Sequence, residues 1–333
     1  MTARIAYWDN FKFVLIYLVV LGHYLLPVSH NGNSVQAAYY LIYLFHMPAF
    51  VFVSGYFSKS YVGKNNKEYK LLGFISLYIM FSLTLCFIQL LLSHKAHLSE
   101  ILKNPSAPWY LLSMFFWYLI IPFIASIRVP ISVVAVALLA LIIGKYPECN
   151  HFLALSRTIV LFPFFLIGYY FNGKIIAKIK PWMRCLAAFI FAVSYVTLFF
   201  YYNSFAKYLG IVYAAGPYKD LGFSTKIGML VRMSWFVIAF ILTASLVCLI
   251  PQKHLPTTYI GQRTLGIYIF HRLLRDILKH FGIYKYMGHG ASLLGSVIVL
   301  SGVITFIFSS KYISSFVNFF FHLDGFMKKN QAP

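Results

Sequence analysis

The residues of this chain best placed to do chemistry stand in its first apolar segment, Tyr7–Pro27, which reads YWDNFKFVLIYLVVLGHYLLP. Asp9 and Lys12 lie at its mouth and His23 lies deep in the run. An ionisable group kept in hydrocarbon is energetically expensive, so its presence is a functional hypothesis by default. Lys12 and His23 are eleven residues apart. On a helix that is about three turns, which puts them on one face roughly 16 Å apart along the axis. One face therefore carries an interfacial cation and a buried base, the parts of a proton-transfer site.

Three further clusters break the apolar background. FHMPAFVFVSGYF places His46 just before Pro48 and a Ser54-Gly55 pair near the end of the segment. A basic loop runs through Lys67-Glu68-Tyr69-Lys70. YIGQRTLGIYIFHRLLRD carries Arg263, Tyr268, His271 and Arg275. His271 sits one turn from Tyr268 and one turn before Arg275, on a shared face. That arrangement could shape an acceptor pocket, or it could form a structural knot with Arg272 and Asp276. His46 is either a working imidazole or a brace at the kink that Pro48 makes, and His23 itself is either a base or a hydrogen-bond partner for a neighbouring helix. Ser54-Gly55 fits a helix-packing pair better than a nucleophile. Trp109, Tyr110, Trp117 and Tyr118 bracket the fourth apolar segment as an interfacial aromatic belt would, and that reading is preferred to sugar stacking.

The elements that position these residues are helices in a membrane. Hydrophobic residues make up 61% of the chain and charged ones 11%, against about 45–50% and 25% in soluble domains. Runs near the roughly 20 residues needed to cross a bilayer fall at 8–27, 37–57, 71–92, 108–126, 128–144, 156–172, 183–202, 228–250, 260–280 and 291–309. The expected fold is an all-α polytopic membrane protein with about ten transmembrane helices, which puts both termini on one side. Arg4, Lys59, Lys64, Lys67, Lys70, Arg128, Lys174, Lys178, Lys180, Arg184, Lys253, Lys328 and Lys329 fall on that side, and the 27–37 connection has no Lys or Arg. The positive-inside rule makes that side, and both termini, cytoplasmic, although Lys95, Lys103, Lys207, Lys219 and Lys226 fall opposite.

No connection is long enough for an independent core, so residues 1–333 read as a single membrane-embedded domain. The tail from Lys311 to 333 is aromatic with basic flanks. It is expected either to lie in the cytoplasmic interface or to prolong the tenth span. The net charge of +21, from 28 basic and seven acidic residues, is scattered over short loops. It points to anionic lipid headgroups and an anionic cytosolic ligand rather than nucleic acid. The first apolar run carries Asp9 and Lys12 and lacks a small-residue cleavage site, so it is expected to stay in the protein. Cys86, Cys149, Cys185 and Cys248 show no paired spacing, and no metal site is expected.

At these residues the chain resembles the acyltransferase-3 family of integral-membrane acyltransferases, in particular its fucose-4-O-acetylase-like, polysaccharide-modifying branch. Asp9, Lys12 and His23 match the family's D-x-x-R/K-x10-H signature position by position. FVSGYF is similar to its F-x-S-G-F stretch, and LGIYIFH to its late S-l-Y-l-x-H stretch. Lysine stands at position 12 where the family more commonly has arginine, and its R-x-x-R after the second span is represented by Lys67-x-x-Lys70.

The resemblance implies transfer of an acyl group, usually acetyl from cytosolic acetyl-CoA, to a sugar hydroxyl of a cell-surface glycan or its lipid-linked precursor. Acyl-CoA is then a donor substrate, and no permanently bound cofactor is expected. His23 would be the general base, with His46 and His271 as further catalytic candidates. Lys12, Lys67, Lys70 and Arg263 would meet the polyanionic end of CoA, with Asp9 holding Lys12. Tyr268 and Arg275 would face the acceptor. The partners implied are acyl-CoA, the glycan acceptor, membrane lipids and other polysaccharide-synthesis proteins, in a bacterial plasma membrane. Two rival readings are a glycan transporter or flippase and a noncatalytic scaffold of a synthesis complex. All seven acidic residues lie in loops or near span ends, which disfavours an ion-coupled carrier; His23 on a shared face with Lys12 argues against the scaffold.

Overall fold

The computed structural model describes residues 5–62, 68–94, 107–149 and 152–322. Among them there is no strand. Ten helices coincide with the ten segments expected from the sequence. They are α1 (Ala6–Leu25), α2 (Asn33–Ser58), α3 (Glu68–Ser93), α4 (Trp109–Ile124), α5 (Val129–Ile142), α6 (Leu155–Tyr170), α7 (Pro181–Ala206), α8 (Thr225–Leu249), α9 (Thr264–His280) and α10 (Gly290–Phe308). Six of them, α1, α2, α3, α7, α8 and α10, are long and apolar enough to cross a membrane. The protein is an all-helical, polytopic membrane protein.

A further helix, α11 (Lys311–Phe321), follows a break at Ser309 and Ser310. Residues 323–333, with Lys328 and Lys329, lie outside the described residues, as do Arg4, Lys64, Lys67, Lys95 and Lys103.

The chain divides into two compact units. The first comprises Met1–Phe50, Phe171–Val212 and Ser234–Lys311; the second comprises Val51–Tyr170, Tyr213–Met233 and Tyr312–Pro333. In the first unit α1 begins with Asp9 in its first turn, where the positive end of the helix dipole favours a carboxylate. It ends where Pro27 forces a short 3-10 turn, Leu26–Val28. Tyr7 donates to the Val247 carbonyl at 2.7 Å and Tyr17 to the Ile298 carbonyl at 3.1 Å. Gly290 N–H bonds the Asn31 carbonyl at 3.0 Å, and Arg263 donates to the Ser309 carbonyl at 2.9 Å. Those contacts place α10 antiparallel to α1. α9 starts beside the mouth of α1 and by His271 has reached His23, so the two run in the same sense.

Pro48 sits inside α2, where it has no N–H for the Leu44 carbonyl. The Trp235 indole N–H supplies that bond instead, at 3.1 Å. α7 has only 11% of its apolar window buried, so most of its surface is left for lipid. α9 is the reverse case. Gly266–Ile269, His271–Leu273 and Arg275 are all buried, and a helix enclosed by protein can carry charges that a lipid-facing one could not.

In the second unit the Ser54-Gly55 pair packs helices. A Cβ built on Gly55 would fall on the Phe165 carbonyl oxygen, and one on Gly168 would fall on the Phe52 carbonyl oxygen. The backbones of α2 and α6 thus touch twice, reciprocally, through small residues. Ser54 hydrogen-bonds the Tyr110 hydroxyl at 2.5 Å. Trp117 is fully buried and donates to the Thr158 carbonyl at 2.9 Å, and Tyr110 and Tyr118 are also buried. The expectation of an aromatic belt on α4 therefore fails for these three, which are core residues. The guanidinium of Arg232 lies over the Tyr218 ring and donates to the Ala140 carbonyl at 3.0 Å; Tyr218 donates to the Leu141 carbonyl at 2.6 Å. Together they cap the negative end of α5.

Candidate functional site

The first unit brings His23 and His271 together. Nδ1 of His23 lies 2.9 Å from Nε2 of His271 with the rings near parallel, 5.0 Å between centroids. Nδ1 of His271 lies 2.7 Å from the carbonyl oxygen of Ile267, one turn earlier on α9. A carbonyl can only accept, so in the neutral pair His271 carries its proton on Nδ1 and presents the lone pair of Nε2. His23 must then donate from Nδ1. Its own Nε2 is left as the lone pair of the pair, with no hydrogen-bond partner among the described residues. His271 is fully buried whereas His23 is partly open. A backbone carbonyl thus sets the tautomers of both rings and leaves one basic nitrogen at the more accessible end. Tyr24, next to His23, donates to the His271 carbonyl at 3.1 Å and ties α1 to α9 a second time.

At the mouth of α1, Asp9 is only 2% exposed. One of its oxygens meets Lys12 Nζ at 2.7 Å and the other accepts from Gln262 at 3.0 Å. Asp9 therefore positions Lys12, whose side chain keeps 19% exposure. The neighbouring Asn10 clamps the chain before α9. Its amide donates to the Pro251 and Lys253 carbonyls at 3.0 and 2.9 Å and its oxygen accepts from Thr258 at 2.6 Å. Arg263, besides its bond to Ser309, lies over the Tyr259 ring.

The other candidates fall as follows. His46 is buried and gives Nδ1 to the Ile42 carbonyl at 2.7 Å, one turn back on its own helix; no hydrogen bond joins it to the histidine pair. Tyr268 is buried with its ring 6.3 Å from that of His271. Arg275 donates to Asp276 from Nη2 at 2.9 Å and from Nε at 3.2 Å, and Arg272 pairs with the same oxygen. Lys70 belongs to the second unit, where its ammonium lies over the Tyr61 and Tyr118 rings. Lys67 lies outside the described residues. Among the described residues no cluster of His, Cys, Asp or Glu could hold a metal ion.

Sequence reasoning missed Asn10, Tyr24 and Gln262 as supports of the site. Asn10 and Tyr24 adjoin Asp9 and His23 in sequence, and a polar side chain in an apolar run was the signal available.

A family model for an acyltransferase domain, that of the acyltransferase-3 family, matches residues 5–310. The chain belongs to this family, and it is a membrane acyltransferase. A search of curated proteins and a search of solved structures each found no match.

Proposed function

We propose that this protein transfers an acetyl or other short acyl group from acyl-CoA to a sugar hydroxyl of a cell-surface polysaccharide or its lipid-linked precursor, as the fucose-4-O-acetylase-like branch does. The observation that carries this is the chain from the Ile267 carbonyl through His271 to His23, which leaves a single oriented lone pair. In the transfer, Nε2 of His23 takes the proton of the sugar hydroxyl as its oxygen bonds to the thioester carbon. The carbon–sulfur bond then breaks, and the thiolate leaves as the thiol with the proton from His23. His271 keeps the imidazolium aimed through its Nδ1 hydrogen bond. Lys12 faces the CoA phosphates about three turns away, with Arg263 as a further cation. The setting is a bacterial plasma membrane with ten crossings and cytoplasmic termini, so that the Lys12 end meets cytosolic acyl-CoA; α11 lies in the interface. The test is mass analysis of the surface glycan with and without the protein. A fixed acyl increment should disappear while the polymer persists; an unchanged glycan, or loss of the polymer itself, would overturn the reading.

A second expectation concerns Lys12. Lys12→Arg should retain most CoA-dependent activity, because arginine keeps the charge and adds a fork suited to phosphate. Lys12→Met should raise the KM for acyl-CoA. Removing one member of a buried pair also strands the other, so the Asp9→Asn/Lys12→Met double variant separates the two effects. If the double variant regains the wild-type KM, Lys12 serves only to balance Asp9.

A further inference from the structure

Four residues past His271 on α9, the charge balance does not close. Arg272 and Arg275 both pair with a single oxygen of Asp276, and their side chains are only 10% and 11% exposed. Among the described residues neither arginine has a second acidic partner. Two nearly buried guanidiniums against one carboxylate leave a surplus positive charge in the low-dielectric part of the molecule, and such a charge is strongly unfavourable without a counter-ion. Beside it lies a second unsatisfied group. The Tyr284 hydroxyl is buried with no hydrogen-bond partner, and its ring stands 6.5 Å from that of Tyr24, which binds the His271 carbonyl. A surplus cation and an orphaned hydroxyl in one place are what an absent anion would satisfy.

The position of this cluster says which substrate the anion belongs to. Lys12, Gln262, Arg263 and Ser309 mark one end of the α1–α9–α10 packing, where Asp9 meets Gln262 and Arg263 meets Ser309. Lys12 lies eleven residues before His23 on α1, whereas Arg275 lies four residues beyond His271 on a helix running in the same sense. The histidine pair therefore has a cation on each side along the helix axes. If the CoA phosphates occupy the Lys12 side, the reacting carbonyl lies at His23 and the far side is left for the acceptor.

We infer that Arg272, Arg275 and Tyr284 form an anion subsite for the acceptor, so that the sugar acylated by this protein bears a negative charge, a carboxylate or a phosphate, close to the reacting hydroxyl. This rests on the reading of His23 as the base of an acyl transfer. The charge has two chemical sources, an acidic sugar or the diphosphate of a polyprenyl-linked precursor, and both suit the planar donor fork of arginine.

Full-length protein in phosphatidylcholine nanodiscs is titrated with four probes: CoA, a glucuronate-containing trisaccharide, its carboxyl-reduced counterpart, and a polyprenyl diphosphate bearing a neutral sugar. One of the two anionic probes should bind at least about tenfold more tightly than the reduced trisaccharide, and Arg275→Gln should abolish that difference. Whichever anionic probe binds names the source of the charge. CoA affinity should stay within about twofold in Arg275→Gln, because the donor phosphates are held elsewhere. Arg272 still pairs with Asp276 in this variant, so without ligand it should melt no lower than the wild type. Three results would overturn the inference: no anionic preference in the wild type, a loss of CoA binding as large as the loss of anion binding, or a clear fall in the melting temperature of unliganded Arg275→Gln. Failure of the base assignment would appear separately, as full acyl transfer by a His23→Ala enzyme, and would leave these titrations unchanged.

Discussion

His23→Ala should lower the initial rate of acyl transfer by about 10²–10⁴-fold, the range expected when a general base is removed, while expression and membrane insertion hold. The substitution deletes the open nitrogen of the pair and introduces no charge. His271→Ala should also be severely impaired, for a different reason. Without the acceptor at His271 Nε2, now 2.9 Å away, nothing on α9 holds His23 in the tautomer that leaves Nε2 bare. Groups that act as a unit are not additive, so the double variant should be about as slow as His23→Ala alone. Initial rates with purified protein and labelled acyl-CoA are the measurement, because slow turnover over hours can still modify a polymer fully. A His23→Ala enzyme within a few-fold of wild type would remove His23 from the chemistry, and strictly multiplicative losses would mean that the two histidines work separately.

The helices were legible in the sequence because the bilayer imposes a length, and every apolar run near that length is a helix. α9 is instructive, since its run, 260–280, was legible in the sequence although the helix carries Arg272, Arg275 and Asp276 within it. Its physical exemption is burial by protein, and no window average can detect which neighbours a helix will have. For the same reason the aromatic residues of α4 were misread. Tyr110, Trp117 and Tyr118 have the composition of an interfacial belt, and only packing shows that they fill a core. Lys12 over Asp9 was readable because the two are one turn apart on one helix. The His23–His271 contact was not, because it joins positions 248 residues apart and depends on how α1 meets α9. The sequence named both rings as candidates, yet the protonation pattern that makes one of them a base comes from the Ile267 carbonyl, a group every residue possesses. The Leu44 carbonyl freed by Pro48 is a parallel case. The proline announced the defect, and a brace was one of two roles open to His46, but the repair comes from Trp235 on α8.

Gly168→Leu should prevent accumulation of folded protein, and Gly168→Ala should destabilise it by about 1–3 kcal/mol or more, as over-packing does. At Gly55 and Gly168 the added Cβ would meet backbone carbonyl oxygens, of Phe165 and Phe52 respectively. A carbonyl in a helix cannot swing aside as a flexible side chain can, so α2 and α6 must separate. Separation would loosen Phe165 and Val51, both fully buried, along with Phe52 and Leu166. It would also forfeit the close Cα–H contacts to carbonyl oxygens that such approaches allow, each worth about 0.5–1 kcal/mol. Because the two contacts are reciprocal, once Gly55→Ala has forced the helices apart the second substitution meets less resistance. The Gly55→Ala/Gly168→Ala pair should therefore lose less stability than the sum of the single losses. Gly295 provides the contrast. It is exposed on α10 with nothing within 4 Å of an added Cβ, and Gly295→Ala should hold stability or raise it by up to about 1 kcal/mol through helix propensity. Thermal denaturation of Gly55→Ala, Gly168→Ala, their double variant and Gly295→Ala in one detergent decides the matter. If Gly168→Ala melts with the wild type while Gly295→Ala falls, the close approach of α2 and α6 does not support this fold.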